Sequence, residues 1–324
     1  MNATRLFVRI AAVALALACE SAAAQAYPGQ PVKWLVPYAA GGGLDNITRR
    51  VSVAMSESLG QPIVIENRPG ASTNIAAETL ARARPDGTTV MTADNASLIV
   101  NEHLFKSLRY APGKDFAVVG PIGRLPIVLC ASPALKVSSY QELMDWIAAN
   151  PDKATYGSPG FGSPHHLSME LFKERTGAKI QLVPYQGIAP AFRDLTTGEI
   201  AMMWVDLAAG RGLMTSGKVV PLANGAMRRH EAIPSVPTFA ELGLPGIATY
   251  AYIGLIAPAG TPADELGRLG RALREALAQP ATARWLAEAG VEPMSESAEQ
   301  FRAFTRAESA RWGEVIRKIG LRLD

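Results

Sequence analysis

Val36-Pro37-Tyr38-Ala39-Ala40-Gly41-Gly42-Gly43-Leu44-Asp45-Asn46 joins two runs of different periodicity. Before it, Val32-Lys33-Trp34-Leu35-Val36 is a short apolar run ending at a proline, the pattern of a buried strand. After it, Ile47, Val51, Met55 and Leu59 recur every four residues, which marks one face of a helix. Gly60 then stands as a C-cap and Pro62 as a stop. The stretch is thus a strand-to-helix turn with its side chains removed at Gly41, Gly42 and Gly43. The first N–H groups of a helix have no partner inside it, and the helix dipole makes that end attractive to anions. Glycine lets a ligand come close to those groups. Asp45 and Asn46 fall where an N-cap or first-turn residue would sit.

The pattern continues outward. Ile63-Val64-Ile65 is a second strand, Asn74 to Arg84 has helical composition, and Pro85-Asp86-Gly87 is a turn. Thr88 to Thr92 is a third strand. This βαβαβ order is satisfied by a parallel sheet with helices on both faces. A second α/β block follows. Ile127 to Cys130 reads as a strand, and Ser139 with Glu142 as a capping box for a helix running to Ala149. Ala154 to Tyr156 is a strand, Pro164 to Thr176 a helix closed by Gly177. Further strands are expected at Ile180–Val183, Ile200–Val205, Val219–Ala223 and Tyr252–Ala257. The rest is helical, at 263–279, 281–289 and 298–319, the last opened by a Ser297/Gln300 capping box. No long flexible linker divides the blocks, so short extended segments should join them like a hinge.

Composition narrows the function. Of 324 residues, 48% are apolar, enough for a large core without staples, and the length suits about two domains. The net charge of +3 is dispersed, which argues against a nucleic-acid groove. Arg5 and Arg9 precede the apolar run Ile10–Cys19, and Ser21-Ala22-Ala23-Ala24-Gln25-Ala26 follows. This is the layout of a secretory signal peptide, and its apolar core is too short to span a bilayer. Cleavage is expected after Ala26, giving an exported protein of the periplasmic type that starts at Tyr27. A lipid-anchored reading through Cys19 is disfavoured by Ala16, where a larger aliphatic residue is usual. Loss of residues 1–26 leaves Cys130 alone, so no internal disulfide is expected. Its Ile127-Val128-Leu129-Cys130 context is that of an inert core thiol.

The second block carries its own glycine loop, Tyr156-Gly157-Ser158-Pro159-Gly160-Phe161-Gly162-Ser163-Pro164-His165-His166-Leu167. Ser163 is placed as an N-cap and Pro164 as the first helical residue. If the blocks face each other, two helix N-termini converge on one cleft and form an anion site with no fixed cation. The first loop is neither GxGxxG nor a Walker loop, since no Gly-Lys-Ser/Thr follows, which disfavours nucleotide phosphate. Asp45 would repel a dense charge, so a small carboxylate fits better.

These segments resemble one family, the periplasmic solute receptors of tripartite tricarboxylate transporters, also called Bug proteins. The resemblance rests on Tyr27-Pro28 to Pro31-Val32, on VPYAAGGGLDN at 36–46, and on LGQPIVIENRPGASTNIAAE at 59–78. It continues in RPDGTTV at 84–90, YGSPGFGSPHHLSMELF at 156–172, VPYQGIAPAFRDLTTGEI at 183–200, IPSVPTFAELGLPG at 233–246 and GLIAPAGTP at 254–262. It implies an α/β type II periplasmic binding protein: two α/β domains, 27–124 with 254–324, and 125–253, and a ligand cleft between them. The two glycine loops would grip a ligand carboxylate, partly through water. Carried over by position, the ligand-binding residues are Tyr38, Ala40, Gly42, Gly43 and Asp45 in the first loop. Ser158, Gly162, Ser163 and His166 come from the second. Asn74, Asp94, Asn95 and Ser97 would line the first domain's side, and Tyr185 and Asp206 the second's. The implied partners are a small carboxylate ligand and membrane permease subunits, or alternatively a membrane sensor kinase; no cofactor is implied, and a monomer is expected.

Two departures bear on the ligand. Many members read Asp-Leu-Met-Phe-Asp where this chain has Ala201-Met202-Met203-Trp204-Val205, with an acid only at Asp206, and many have Trp where Tyr252 stands. Both point to an apolar far end of the pocket and to a ligand with an aromatic or aliphatic body. Enzyme readings are weaker. Ser163 is outside a GxSxG elbow and serves better as a cap. His165 and His166 fall on different faces of a helix, against a metal site. No catalytic residue is assigned.

Overall fold

The computed structural model describes residues 28–323. The expected leader over residues 1–26 and its cleavage point lie outside the described residues. Nine strands form one continuous sheet among those residues: β1 (Val32–Val36), β2 (Ile63–Asn67), β3 (Thr89–Ala93), β4 (Phe116–Ala131), β5 (Thr155–Ser158), β6 (Gln181–Pro184), β7 (Met202–Asp206), β8 (Val220–Asn224) and β9 (Tyr250–Pro258). Their order is β2-β1-β3-β9-β4-β7-β5-β6, with β8 also paired to β4.

Two lobes follow from the pairing. β1 is parallel to β2 and β3, as the βαβαβ pattern requires, and β9 closes that group antiparallel to β3. In the other lobe β5 is parallel to β6 and β7. The long strand β4 belongs to both. It pairs with β9 from Phe116 to Pro126, then with β7 and β8 from Ile127 to Ala131. Only its second part reads as a strand in sequence. Gly120, Pro121, Gly123 and Pro126 break the apolar run before it, and the ladder absorbs them with register shifts at Val118/Gly120 and Pro121/Gly123.

The helix Gly43–Leu59 buries Ile47, Val51 and Met55 completely, the face its periodicity marks. Each such side chain contributes about 1.5–3 kcal/mol by leaving water. Gly60 ends the helix in the left-handed conformation, as does Gly177 after Pro164–Thr176. The helical tail packs on the first lobe: Ala263–Ala278 lies on Gly43–Leu59 and β4, and Ala298–Ile319 on β4. Its Ser297/Gln300 capping box is complete. The Ser139 box is not. Ser139 Oγ accepts the Glu142 N–H, but the Glu142 carboxylate accepts from Ser138 N–H instead, one residue upstream.

The lobes touch. Leu167 and Leu171 of the second lobe share an apolar cluster with Leu35, Val100 and Leu104 of the first. Lys318 pairs with Glu174 across the same boundary, and Arg211 donates to the Glu288 carbonyl. The lobes therefore meet at several points beside the cleft.

Candidate functional site

The first glycine loop opens the helix Gly43–Leu59 with Gly42 as N-cap and no side-chain cap. Its leading N–H groups are thus left for something outside the chain. Asp45 does not fill that role. Its Oδ2 accepts from Gly41 N–H and Arg49 Nε, both at 2.9 Å, and its Oδ1 from Asn67 Nδ2 at 2.8 Å. Burial alone would raise this carboxyl. Arg49, Gly41 and Asn67 outweigh it and hold the group below the usual carboxylate range. Asp45 therefore fixes the shape of the loop rather than facing the cleft. Tyr38 reaches from the same loop to Asp94, its hydroxyl donating to Oδ2 at 2.6 Å. Burial raises the Asp94 carboxyl and, with the Asp94 charge, raises the Tyr38 hydroxyl. The phenol keeps its proton as the donor.

The second glycine loop opens its helix as the sequence indicates, with Ser163 as N-cap and Pro164 in the first turn, and it folds back on itself. Ser163 Oγ accepts the His166 N–H at 3.2 Å, and His166 Nδ1 accepts the Gly162 N–H at 3.1 Å. Ser158 Oγ donates to the Gly160 carbonyl at 2.8 Å and lies 3.2 Å from Ser163 Oγ. The Ser163 hydroxyl thus caps the helix start from within, and His166 holds the loop through Gly162. His166 stacks on Tyr156, and burial lowers it to about 4, so it stays neutral. Gly162, at φ +71, is where the lobes come close: a Cβ there would stand 2.7 Å from Leu104 Cδ1 and 3.1 Å from Asn101 Oδ1.

The bare helix end of the second lobe is elsewhere. The helix Ile188–Thr197 starts from Gly187, at φ +103, with no side-chain cap. Sequence reasoning passed over it because Gly187 carries no capping side chain. The signal available was a glycine followed by Pro190 in a first helical turn, where proline is tolerated.

These two bare ends face one narrow cavity of about 70 Å³. Its wall includes Tyr38, Ala40, Gly42, Gly43, Leu44 and Asp94 from the first lobe. Pro159, His165, Gly187, Ile188, Ala189 and Asp206 come from the second. A wider cavity of about 580 Å³ adjoins it, shares Tyr38, Ala39, Pro159, Gln186 and Gly187, and is lined also by Ser163 and Tyr185. Among the described residues, no Lys or Arg lines either cavity. Asp206 caps the helix Leu207–Thr215 through Oδ1, which accepts the Ala209 N–H at 2.9 Å. Its Oδ2 lies 3.3 Å from His165 Nε2.

Of the residues singled out in the sequence, Tyr38, Ala40, Gly42, Gly43, Asp94 and Asp206 meet at the inner cavity, and Ser163 and Tyr185 at the outer one. The others stand behind the walls. Asn74 Oδ1 accepts from Asn101 Nδ2 and the Tyr110 hydroxyl. Asn95 is bonded to the Tyr250 carbonyl and the Tyr252 N–H, and Ser97 to Asp94. Gly162, Ser158 and His166 are occupied with each other's loop. The apolar end expected from Val205 and Tyr252 is also made otherwise. Val205 packs under Gly210 in the lobe core and Tyr252 lies edge-on to Phe304. Leu125, Ile188, Pro190 and Ala251 supply the apolar wall instead. His165 and Gln186 are cavity residues that sequence reasoning did not select.

Comparison with known proteins agrees with this architecture. A family model described as "Tripartite tricarboxylate transporter family receptor" matches residues 47–321. The chain is 34% identical to Protein BugT of Bordetella pertussis over 325 residues, the full length of both. An R. palustris protein solved with adipate superposes at TM-score 0.88 and 34% identity, covering 92% of this chain and 100% of that one. MatC from Rhodopseudomonas palustris, with bound malate, does so at 0.85 and 31%, covering 90% and 100%. Two α/β lobes on a shared crossover strand, a cleft walled by bare helix ends, and relatives aligned end to end place this chain in the tripartite tricarboxylate transporter receptor family.

Proposed function

We propose that this chain is a periplasmic solute-binding receptor that captures a small carboxylate in the cleft between its lobes and delivers it to a membrane transporter of the tripartite tricarboxylate type. The observation that carries this is the meeting of two uncapped helix N-termini, at Gly42–Leu44 and Gly187–Ala189, on one cavity that no lysine or arginine among the described residues lines. Helix ends of this kind stabilise a negative charge by N–H donation and by their dipoles. The inner cavity suits one carboxylate group, and the wider one next to it suits the body of the ligand. Adipate and malate, bound by the two relatives, are the first candidates.

In this reading the leader is removed after Ala26, and the mature receptor works as a monomer. Its domains divide at 124/125 and 253/254, close to where β4 exchanges partners, and move about those crossings. The intact mass of the exported protein checks the first point. The test of the function is a thermal-shift panel on protein refolded free of ligand, with mono-, di- and tricarboxylates, each against its uncharged amide. Ligand at a hundred times its dissociation constant stabilises by about 2.7 kcal/mol. A shift with adipate or malate and none with the amide is expected. No shift with any acid, in a sample that melts cooperatively, overturns the reading.

A further inference from the structure

We propose that His165 is the specificity-determining residue of the cleft, that it meets the ligand's carboxylate as an imidazolium, and that ligand binding therefore takes up a proton from solvent. This rests on the carboxylate-receptor reading above and names the charge partner that reading lacks.

Among the described residues, His165 is the one side chain lining the inner cavity that can carry a positive charge, since no Lys or Arg of theirs lines it. It is 8% exposed, on the first turn of the helix Pro164–Thr176. One ring nitrogen is committed: Nε2 lies 3.3 Å from Asp206 Oδ2. The other, Nδ1, is buried without a partner. A neutral ring whose Nε2–H points at Asp206 presents only a lone pair at Nδ1. A carboxylate set against that lone pair would be repelled. With a proton on Nδ1 the same edge donates a charge-assisted hydrogen bond, and Asp206 stabilises the resulting cation from the other side. Asp206 is held for this by the Ala209 N–H on its Oδ1, which makes it a positioning residue.

The neighbouring titratable groups leave the role to His165. Asp94 and Tyr38, across the cavity, are bonded to each other. His166 is turned to Gly162 and Tyr156. Glu170, further along the same helix, accepts from the Tyr156 hydroxyl and Lys173. A fixed cation would hold any carboxylate at every pH. A histidine makes the hold conditional on protons.

The experiment is calorimetric titration of the mature protein with adipate and malate across pH, in buffers of different ionisation enthalpy. Expected is uptake of up to one proton per ligand, with affinity falling by as much as about tenfold per pH unit as pH rises. In His165→Gln the proton uptake and the slope disappear. Asp206→Asn, which keeps a capping side chain, reduces both; a merely structural role for Asp206 would lower the melting point and leave the pH profile unmoved. Binding of an acid with no proton uptake and a flat profile overturns this proposal and leaves the receptor reading standing. Affinity that rises with pH means that Nδ1 accepts from a ligand donor, and overturns it as well. Failure of every acid to bind removes the receptor reading and this inference together.

Discussion

Gly43→Ala separates closure of the cleft from stability of the fold. Gly43 is the first residue of the helix Gly43–Leu59, where alanine is favoured over glycine by up to about 1 kcal/mol. A Cβ at this position would stand 2.6 Å from Asp206 Oδ1, 3.3 Å from its Cγ and 3.4 Å from Ala208 Cβ, all in the other lobe. Ordinary contact begins at 3.4 Å, so the Asp206 oxygen is about 0.8 Å too close. It cannot swing aside freely, because Ala209 N–H and His165 hold its two oxygens. Overpacking of this sort costs about 1–3 kcal/mol, and the cost falls only on the closed state. At about 2 kcal/mol the affinity drops roughly thirtyfold. A ligand concentration that stabilises the parent protein by about 2.7 kcal/mol then stabilises the variant by only about 0.9 kcal/mol. Differential scanning calorimetry with and without adipate or malate reads both quantities. The unliganded variant should melt at or slightly above the parent temperature, with its ligand-induced shift cut about threefold. A variant with an undiminished shift would refute the reasoning, because the Gly43–Asp206 approach would then have no part in the bound state.

Gly42→Leu should fold normally, since φ is −76° and the nearest atoms to a Cβ are Ala39 O at 3.7 Å and Ile188 Cγ2 at 3.9 Å. Its side chain fills the cleft, so binding should be lost with circular dichroism and melting unchanged. Cys130 is fully buried and burial pushes its thiol up, so a thiol reagent should label it only on unfolding, and Cys130→Ser should bind ligand as the parent does. His166 supplies an acid limb to stability. Its folded value of about 4 lies below the ordinary 6.5, so the unfolded chain binds the proton first. Stability should fall as pH drops from 6.5 toward 4, by up to about 3 kcal/mol from this group, and His166→Phe should flatten that limb in urea titrations.

The parts legible in the sequence are those whose cause is local. Ser163-Pro164 and Gly177 bound their helix because capping, a proline at the first position and a left-handed glycine act within a few residues. The bare start at Gly42 was legible for the same reason. What the sequence hid is set by contacts between distant segments. The first half of β4 carries prolines and glycines that only its partner β9 tolerates. Ser163 and His166 look like ligand groups in a glycine loop, and the structure shows Ser163 Oγ and His166 Nδ1 also bonded within that loop. Asn74 looks like a wall residue, and its partners Asn101 and Tyr110 lie far along the chain. His165 was passed over because the residue it touches, Asp206, stands at the end of β7, and no spacing rule links the two.

The central claim is that backbone N–H groups at two helix starts seat a carboxylate, and amide ¹⁵N–¹H spectra of the labelled mature protein test it most directly. Titration with adipate or malate should move the Gly42, Gly43, Leu44, Ile188 and Ala189 amide protons downfield together, and the matching amide compound should leave them in place. A saturating acid that leaves the Gly42–Leu44 amides unmoved would contradict the account.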